Sequence, residues 1–167
     1  MINLKAVGLT GLPLGCGMII GQLFGPKVGN TKDWYQKLNF PVYNPPDWVF
    51  RPVWASLYSM MGYASYRVLC EGEAGVDITK AMTAYGSQLA IGLTWVPLFF
   101  SAHKLKSSAA VVTAFAGCIA WTIKEFAPID VAASRLMYPA MAWVSFATVL
   151  GWHVAYLNED NKALKEE

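Results

Sequence analysis

Few side chains in this 167-residue sequence are equipped for acid–base or metal chemistry, and they are widely spaced. The two histidines, His103 and His153, stand fifty residues apart. His103 sits beside Lys104 in a polar break, and His153 lies near the end of an apolar run. Either imidazole has the chemistry to ligate haem iron, but together they make no metal site. Cys16, Cys70 and Cys118 form neither a CxxC pair nor an even set, and read as small apolar thiols. Arg51 stands between Phe50 and Pro52 at the start of the second apolar run. It can snorkel to lipid headgroups, or its guanidinium fork can pair with a ligand carboxylate. Intramembrane catalysis normally needs ionisable groups inside a helix, and almost none are present.

Aromatic rings offer more. Trp54 and Tyr58 stand at i, i+4, and Trp143 and Phe146 at i, i+3, so each pair shares a helix face. Spacing alone reads as helix packing. Beside a small residue such as Ala147, the same faces have the shape to wall a slot for a flat ligand.

The elements that carry these rings follow from composition. Hydrophobic residues make up 55% of the chain and charged residues only 14%, against about 25% in soluble domains. The net charge of +2 comes without a polybasic run, which argues against nucleic acid. Uncharged stretches recur at close to the ~20 residues that span a hydrocarbon core. They predict a single all-α membrane domain over 1–167, a bundle of five transmembrane helices at about 4–24, 46–69, 79–102, 107–124 and 134–157. The first stretch is too long for a secretory signal core and is read as a retained helix. Strands are a poor alternative, since the runs do not alternate and a barrel needs many more of them.

Charged and turn residues collect between the spans. The longest connection carries Trp34, Tyr35, Tyr43 and Trp48 among prolines, a mixture suited to the interfacial zone and able to fold back as a lid. The excess of Lys27, Lys32, Lys37, Lys104, Lys106, Lys162 and Lys165 over Lys5, Arg67, Lys80, Lys124 and Arg135 favours a cytosolic C-terminus. Gly11, Gly15, Gly17, Gly21 and Gly25, echoed by Ala110, Ala114 and Gly117, suit close helix packing or a homodimer seam. Pro97 and Pro139 are expected to bend their helices.

Specific motifs sharpen this reading. The stretch 34–66, WYQKLNFPVYNPPDWVFRPVWASLYSMMGYASY, the run LMYPAMAWVSFATVL, the pieces GSQLA and WVPLFF, and AVGLT near the start occur in order along nearly the whole chain. The sequence thereby resembles the translocator protein family, also called peripheral benzodiazepine receptors or tryptophan-rich sensory proteins. The resemblance implies a five-helix protein of the mitochondrial outer membrane, or of a bacterial envelope, that binds porphyrins, cholesterol and benzodiazepine-site drugs.

It further implies a pocket walled by Trp54, Tyr58, Trp95, Trp143, Phe146, Ala147 and Leu150 and closed by the loop with Pro45 and Pro46. The expected ligand is protoporphyrin IX or haem, with no obligatory cofactor and no catalytic or metal-ligating set. Val154, Tyr156 and Lys162 satisfy a loose sterol-recognition pattern. Several positions depart from the family: Arg51 replaces a small residue, Gly92 and Leu93 replace an Asn–Trp pair, Ser107 lies where animal members often carry tryptophan, and Tyr156 breaks the usual sterol pattern. Binding and transport of a porphyrin or sterol lead the functional expectations. Behind them stand light- or oxygen-dependent porphyrin degradation, with Trp54 and Trp143 as the reactive pair, and a mitochondrial signalling scaffold.

Overall fold

The computed structural model describes residues 31–159 and, before them, residues 11, 13, 15–19, 22 and 23, which are helical. Six α-helices follow: α1 (Thr31–Gln36), α2 (Asp47–Glu73), α3 (Thr79–Val96), α4 (Leu105–Phe126), α5 (Val131–Leu136) and α6 (Tyr138–Leu157). No strand occurs among the described residues. Two stretches, Leu105–Phe126 and Val131–Leu157, are long and apolar enough to cross a membrane. Of the other predicted spans, the one in α2 carries Asp47, Arg51, Arg67, Glu71 and Glu73 towards its ends, and most of the first lies outside the described residues.

α4 is the central helix, packed along α3 on one side and α6 on the other, while α5 bridges α2 and α4. The backbone of α2 meets α3 and α6 at few points. Large side chains close that distance: Tyr58, Met61, Phe115, Ile119, Phe126, Met137 and Val144 form one buried core, with Trp54, Trp95 and Trp143 half-buried against it. Gly17 of the N-terminal segment lies so close to the Tyr58 ring that a Cβ there would sit 2.7 Å from it.

Prolines and caps set the breaks. Pro97 has no N–H to continue the α3 ladder. Residues Pro97–Ser101 widen into a π-helical turn, closed by the Ala102 N–H on the Pro97 carbonyl at 3.0 Å. Pro139 does not bend a continuous helix: it stands in the first turn of α6, where its fixed φ suits a helix start. α5 ends just before it, at Leu136. α2 ends in a Schellman motif. Val76 N–H donates to the Glu71 carbonyl, Gly75 N–H donates to that of Gly72, and Gly75 takes the left-handed φ of 99° that this geometry needs.

Asp130 ties α5 to α2. One carboxylate oxygen caps α5 by accepting from the Ala132 and Ala133 N–H groups, and the other accepts from Arg67 of α2 at 2.7 Å. Burial works against its charge, but these donors outweigh it and hold the carboxyl below its ordinary value. Asp130→Ala is expected to cost about 1–2 kcal/mol, mostly the lost cap, since Arg67 is 38% exposed and the ion pair itself is worth little. Because the folded pKa is depressed, Asp130 stabilises fully above the ordinary aspartate value and loses that contribution as pH falls through the lowered one. Thermal unfolding of wild type and Asp130→Ala in detergent should converge on acidification, and a gap independent of pH would refute the assignment.

Gln88 is fully buried on α3. Its Nε2 donates only to the Met61 sulfur at 3.1 Å, and its Oε1 has no partner. A thioether is a weak acceptor, and an unmade buried hydrogen bond is costly. Gln88→Leu is therefore expected to stabilise the fold by about 1 kcal/mol. A lower thermal midpoint in the variant would show that the amide oxygen is in use.

Candidate ligand-binding site

The aromatic residues converge where α2, α6 and the 37–46 connection meet. On α2, Phe50, Trp54 and Tyr58 recur at four-residue intervals and so line one face. On α6, Trp143, Phe146, Ala147 and Leu150 form the facing stripe. The two helices touch through Phe50 and Trp143, edge to face at 5.8 Å between ring centroids. Trp143 lies against Phe146 at 5.6 Å, and Phe146 meets Tyr43 of the connection at 6.3 Å. Deeper, Trp54 is 5.6 Å from Tyr58 and stacks on Phe115 of α4 at 6.4 Å.

Two polar atoms at this junction are buried without a partner: Trp143 Nε1 and Asn44 Oδ1. One is a donor and the other an acceptor. Buried polar groups are ordinarily hydrogen-bonded, so these two are places where a bound molecule would be recognised.

Trp95 stands apart from that wall. It stacks on Phe99 at 5.1 Å, meets Phe100 edge-on at 5.9 Å, and links the main core to a second cluster of Trp34, Leu38 and Phe99. The π-turn after Pro97 is what presents Phe99 and Phe100 to Trp34 and Tyr35. His103 follows with a positive φ of 53°, its ring stacked on Trp34 at 4.1 Å and nearly parallel.

Three contacts strap the connection over the helices. Tyr35 donates to Asp47 at 3.0 Å, Asn158 at the end of α6 both accepts from and donates to the backbone of Asn39 at 2.9 Å, and Tyr43 Oη lies 2.7 Å from His153 Nδ1. Burial, then the nearby Asp47 carboxylate, push the Tyr35 phenol above its ordinary pKa. Pro45 is half-buried and Pro46 exposed at the start of α2.

The remaining expected residues fall elsewhere. Arg51 is exposed, one turn outward from Trp54 on α2. Val154 is buried at 3% exposure and Tyr156 is 74% exposed. Two positions apart on a helix, they point to opposite sides, so they share no face for a sterol. Lys162 lies outside the described residues. Leu150 is buried, and Ala147 half-buried, on the α6 stripe. Sequence reasoning missed Phe50, Phe115 and Tyr43 as members of the wall. Phe50 was detectable, four residues before Trp54. Phe115 and Tyr43 reach the site through tertiary contacts and carry no local signal.

The helical fold of the described residues, with two stretches long and apolar enough to cross a membrane and an aromatic-lined junction beneath a proline-rich strap, fits a helical membrane protein. The sequence model of the TspO/MBR family matches residues 9–157, and the chain belongs to that family. It is 37% identical over 153 residues to the human translocator protein, covering 89% of this chain and 87% of that one. It is 36% identical over 126 residues to the tryptophan-rich sensory protein of Cereibacter sphaeroides, covering 75% and 77%. The translocator protein homolog of Schizosaccharomyces pombe is 33% identical over 151 residues, with 88% of each chain covered.

Proposed function

We propose that this protein binds a flat, largely apolar ligand of the tetrapyrrole class between α2 and α6, as a five-span membrane protein that carries or presents the ligand without transforming it. The observation that carries this reading is Trp143. Its ring is held between Phe50 and Phe146, yet its indole N–H is buried with nothing to donate to. Such a group needs an acceptor, and a macrocycle bearing carboxylate or carbonyl groups brings both an acceptor and a wide π-face. Burial of apolar area at about 25 cal/mol per Å² would supply most of the affinity.

The strap over Tyr43 and Pro45 gives such a ligand a route of entry from the membrane surface, and the thin contacts of α2 with its neighbours give a lateral route. In this reading the two membrane-competent stretches are joined by α2, α3 and the first apolar run of the sequence as the five crossings. Sterols and drug-like apolar molecules fit the same wall. The surplus of lysine on alternate connections supports a cytosolic C-terminus, and the family resemblance makes the mitochondrial outer membrane the proposed location.

Tryptophan fluorescence during titration with metal-free protoporphyrin IX tests the reading. Saturable quenching is expected both in detergent and in liposomes. Quenching that rises linearly without saturation in both media would refute it.

A further inference from the structure

His153 lies seven residues beyond Phe146 on α6, so the two share a helix face and are separated by about 10 Å along the axis. The ring is half-buried, with its centroid 5.6 Å from that of Tyr43, which itself packs against Phe146. Tyr43 Oη engages Nδ1 at 2.7 Å. An imidazole is thus held at the outer end of the aromatic wall, oriented through one nitrogen while the other is left for a different partner. Tyr43 is 45% exposed, which puts the pair at the open rim of the site rather than in the core.

We infer that His153 is an axial ligand for the iron of a haem-type tetrapyrrole, oriented by Tyr43. The inference rests on the reading of the α2–α6 wall as a tetrapyrrole site and narrows it to the metallated form. A macrocycle supplies four nitrogens to its iron, so the protein need supply only one more donor. That requirement is compatible with there being no group of three potential metal ligands among the described residues. Metal-bound imidazoles characteristically donate their other N–H to an oxygen, which fixes the ring and raises the basicity of the ligating nitrogen.

The Tyr43 hydroxyl oxygen is placed to accept in that way. With hydrogen on Nδ1, the Nε2 lone pair is free to form a dative bond to iron in exchange for a water or hydroxide bound there. No electron is transferred and the imidazole gives up no proton to solvent. A metal-free porphyrin offers nothing to Nε2, so the arrangement discriminates between the two ligands. His103, whose ring is stacked on Trp34 in the other cluster, lacks a comparable oxygen partner among the described residues and serves as a comparison.

The test titrates the full-length protein in nanodiscs with ferric protoporphyrin IX and, separately, with metal-free protoporphyrin IX. Ferric haem is expected to bind about tenfold or more tighter than the metal-free ligand and to show a red-shifted Soret band with the resonance Raman signature of an iron–imidazole bond. His153→Ala should abolish that signature and the preference for iron while weakening metal-free porphyrin by about threefold at most, and added imidazole should restore the spectrum. Tyr43→Phe should retain the iron–imidazole bond and shift its stretching frequency. If the wild type binds metal-free porphyrin but its haem complex lacks the imidazole signature, or if His103→Ala abolishes it instead, this inference is overturned and the ligand-binding reading stands. If neither ligand saturates, both fall together.

Discussion

Trp143→Ala is expected to weaken protoporphyrin IX binding by about 10- to 100-fold and, because the ring also packs against Phe50 and Phe146, to lower the thermal midpoint of the ligand-free protein. The magnitude follows from the two things the indole offers. A stacked aromatic ring is worth about 1–3 kcal/mol by alanine substitution, and each 1.4 kcal/mol is a tenfold change in affinity. The unpartnered Nε1–H adds a hydrogen bond that exists only when ligand is bound. Losing that donor alone does not unfold the empty protein, because no existing bond is broken. Trp143→Phe separates the two contributions: the ring remains, the donor goes, and the expected loss is about three- to tenfold. Titrations of both variants by intrinsic fluorescence, alongside thermal unfolding, check the prediction. Equal losses for alanine and phenylalanine would assign the whole effect to the hydrogen bond, and no loss in either would remove Trp143 from the site.

The second large effect is predicted at Gly92 of α3. A Cβ at this position would stand 2.9 Å from two carbons of the Phe115 ring, nearer than side-chain carbons can approach. Phe115 is only 2% exposed and has little room to retreat, and its ring stacks on Trp54. Gly92→Ala is accordingly expected to destabilise the fold by about 2–3 kcal/mol, the upper part of the range for overpacking, despite alanine's better helix propensity. The displaced ring should carry Trp54 with it and weaken ligand binding as well. Gly92→Ala combined with Phe115→Leu should recover most of the stability, since the smaller side chain vacates the contested space. If the single variant is as stable as wild type, the α3–α4 contact is looser than the structure shows.

The same position shows how far local sequence carries. An apolar chain with few charges can form a stable surface only in lipid, and in lipid the backbone must satisfy its own hydrogen bonds, so composition and run length alone implied helices in a membrane. The all-helical fold, the membrane character and the family were therefore legible in the sequence. Helix ends were less legible: the second helix was expected to end at 69 but runs to Glu73, just before Gly75 takes its left-handed φ. Nor was it legible which of two geometries a proline would take: Pro97 widens its helix into a π-turn, and Pro139 opens a new helix after a break.

Pairs within one helix, such as Trp54 with Tyr58 and Trp143 with Phe146, follow from the 3.6-residue period and could be read directly. The contacts of Phe50 with Trp143, Trp54 with Phe115, and Tyr43 with His153 could not. Each joins residues more than 60 positions apart, and such a meeting is set by how helices of particular bulk settle against one another. Sequence alone thus determined which faces were aromatic and that their solvent is lipid. Only the tertiary structure decided which faces meet, and that burial strips Trp143 Nε1 and Asn44 Oδ1 of partners, because burial is a property of the assembled bundle and not of any segment within it.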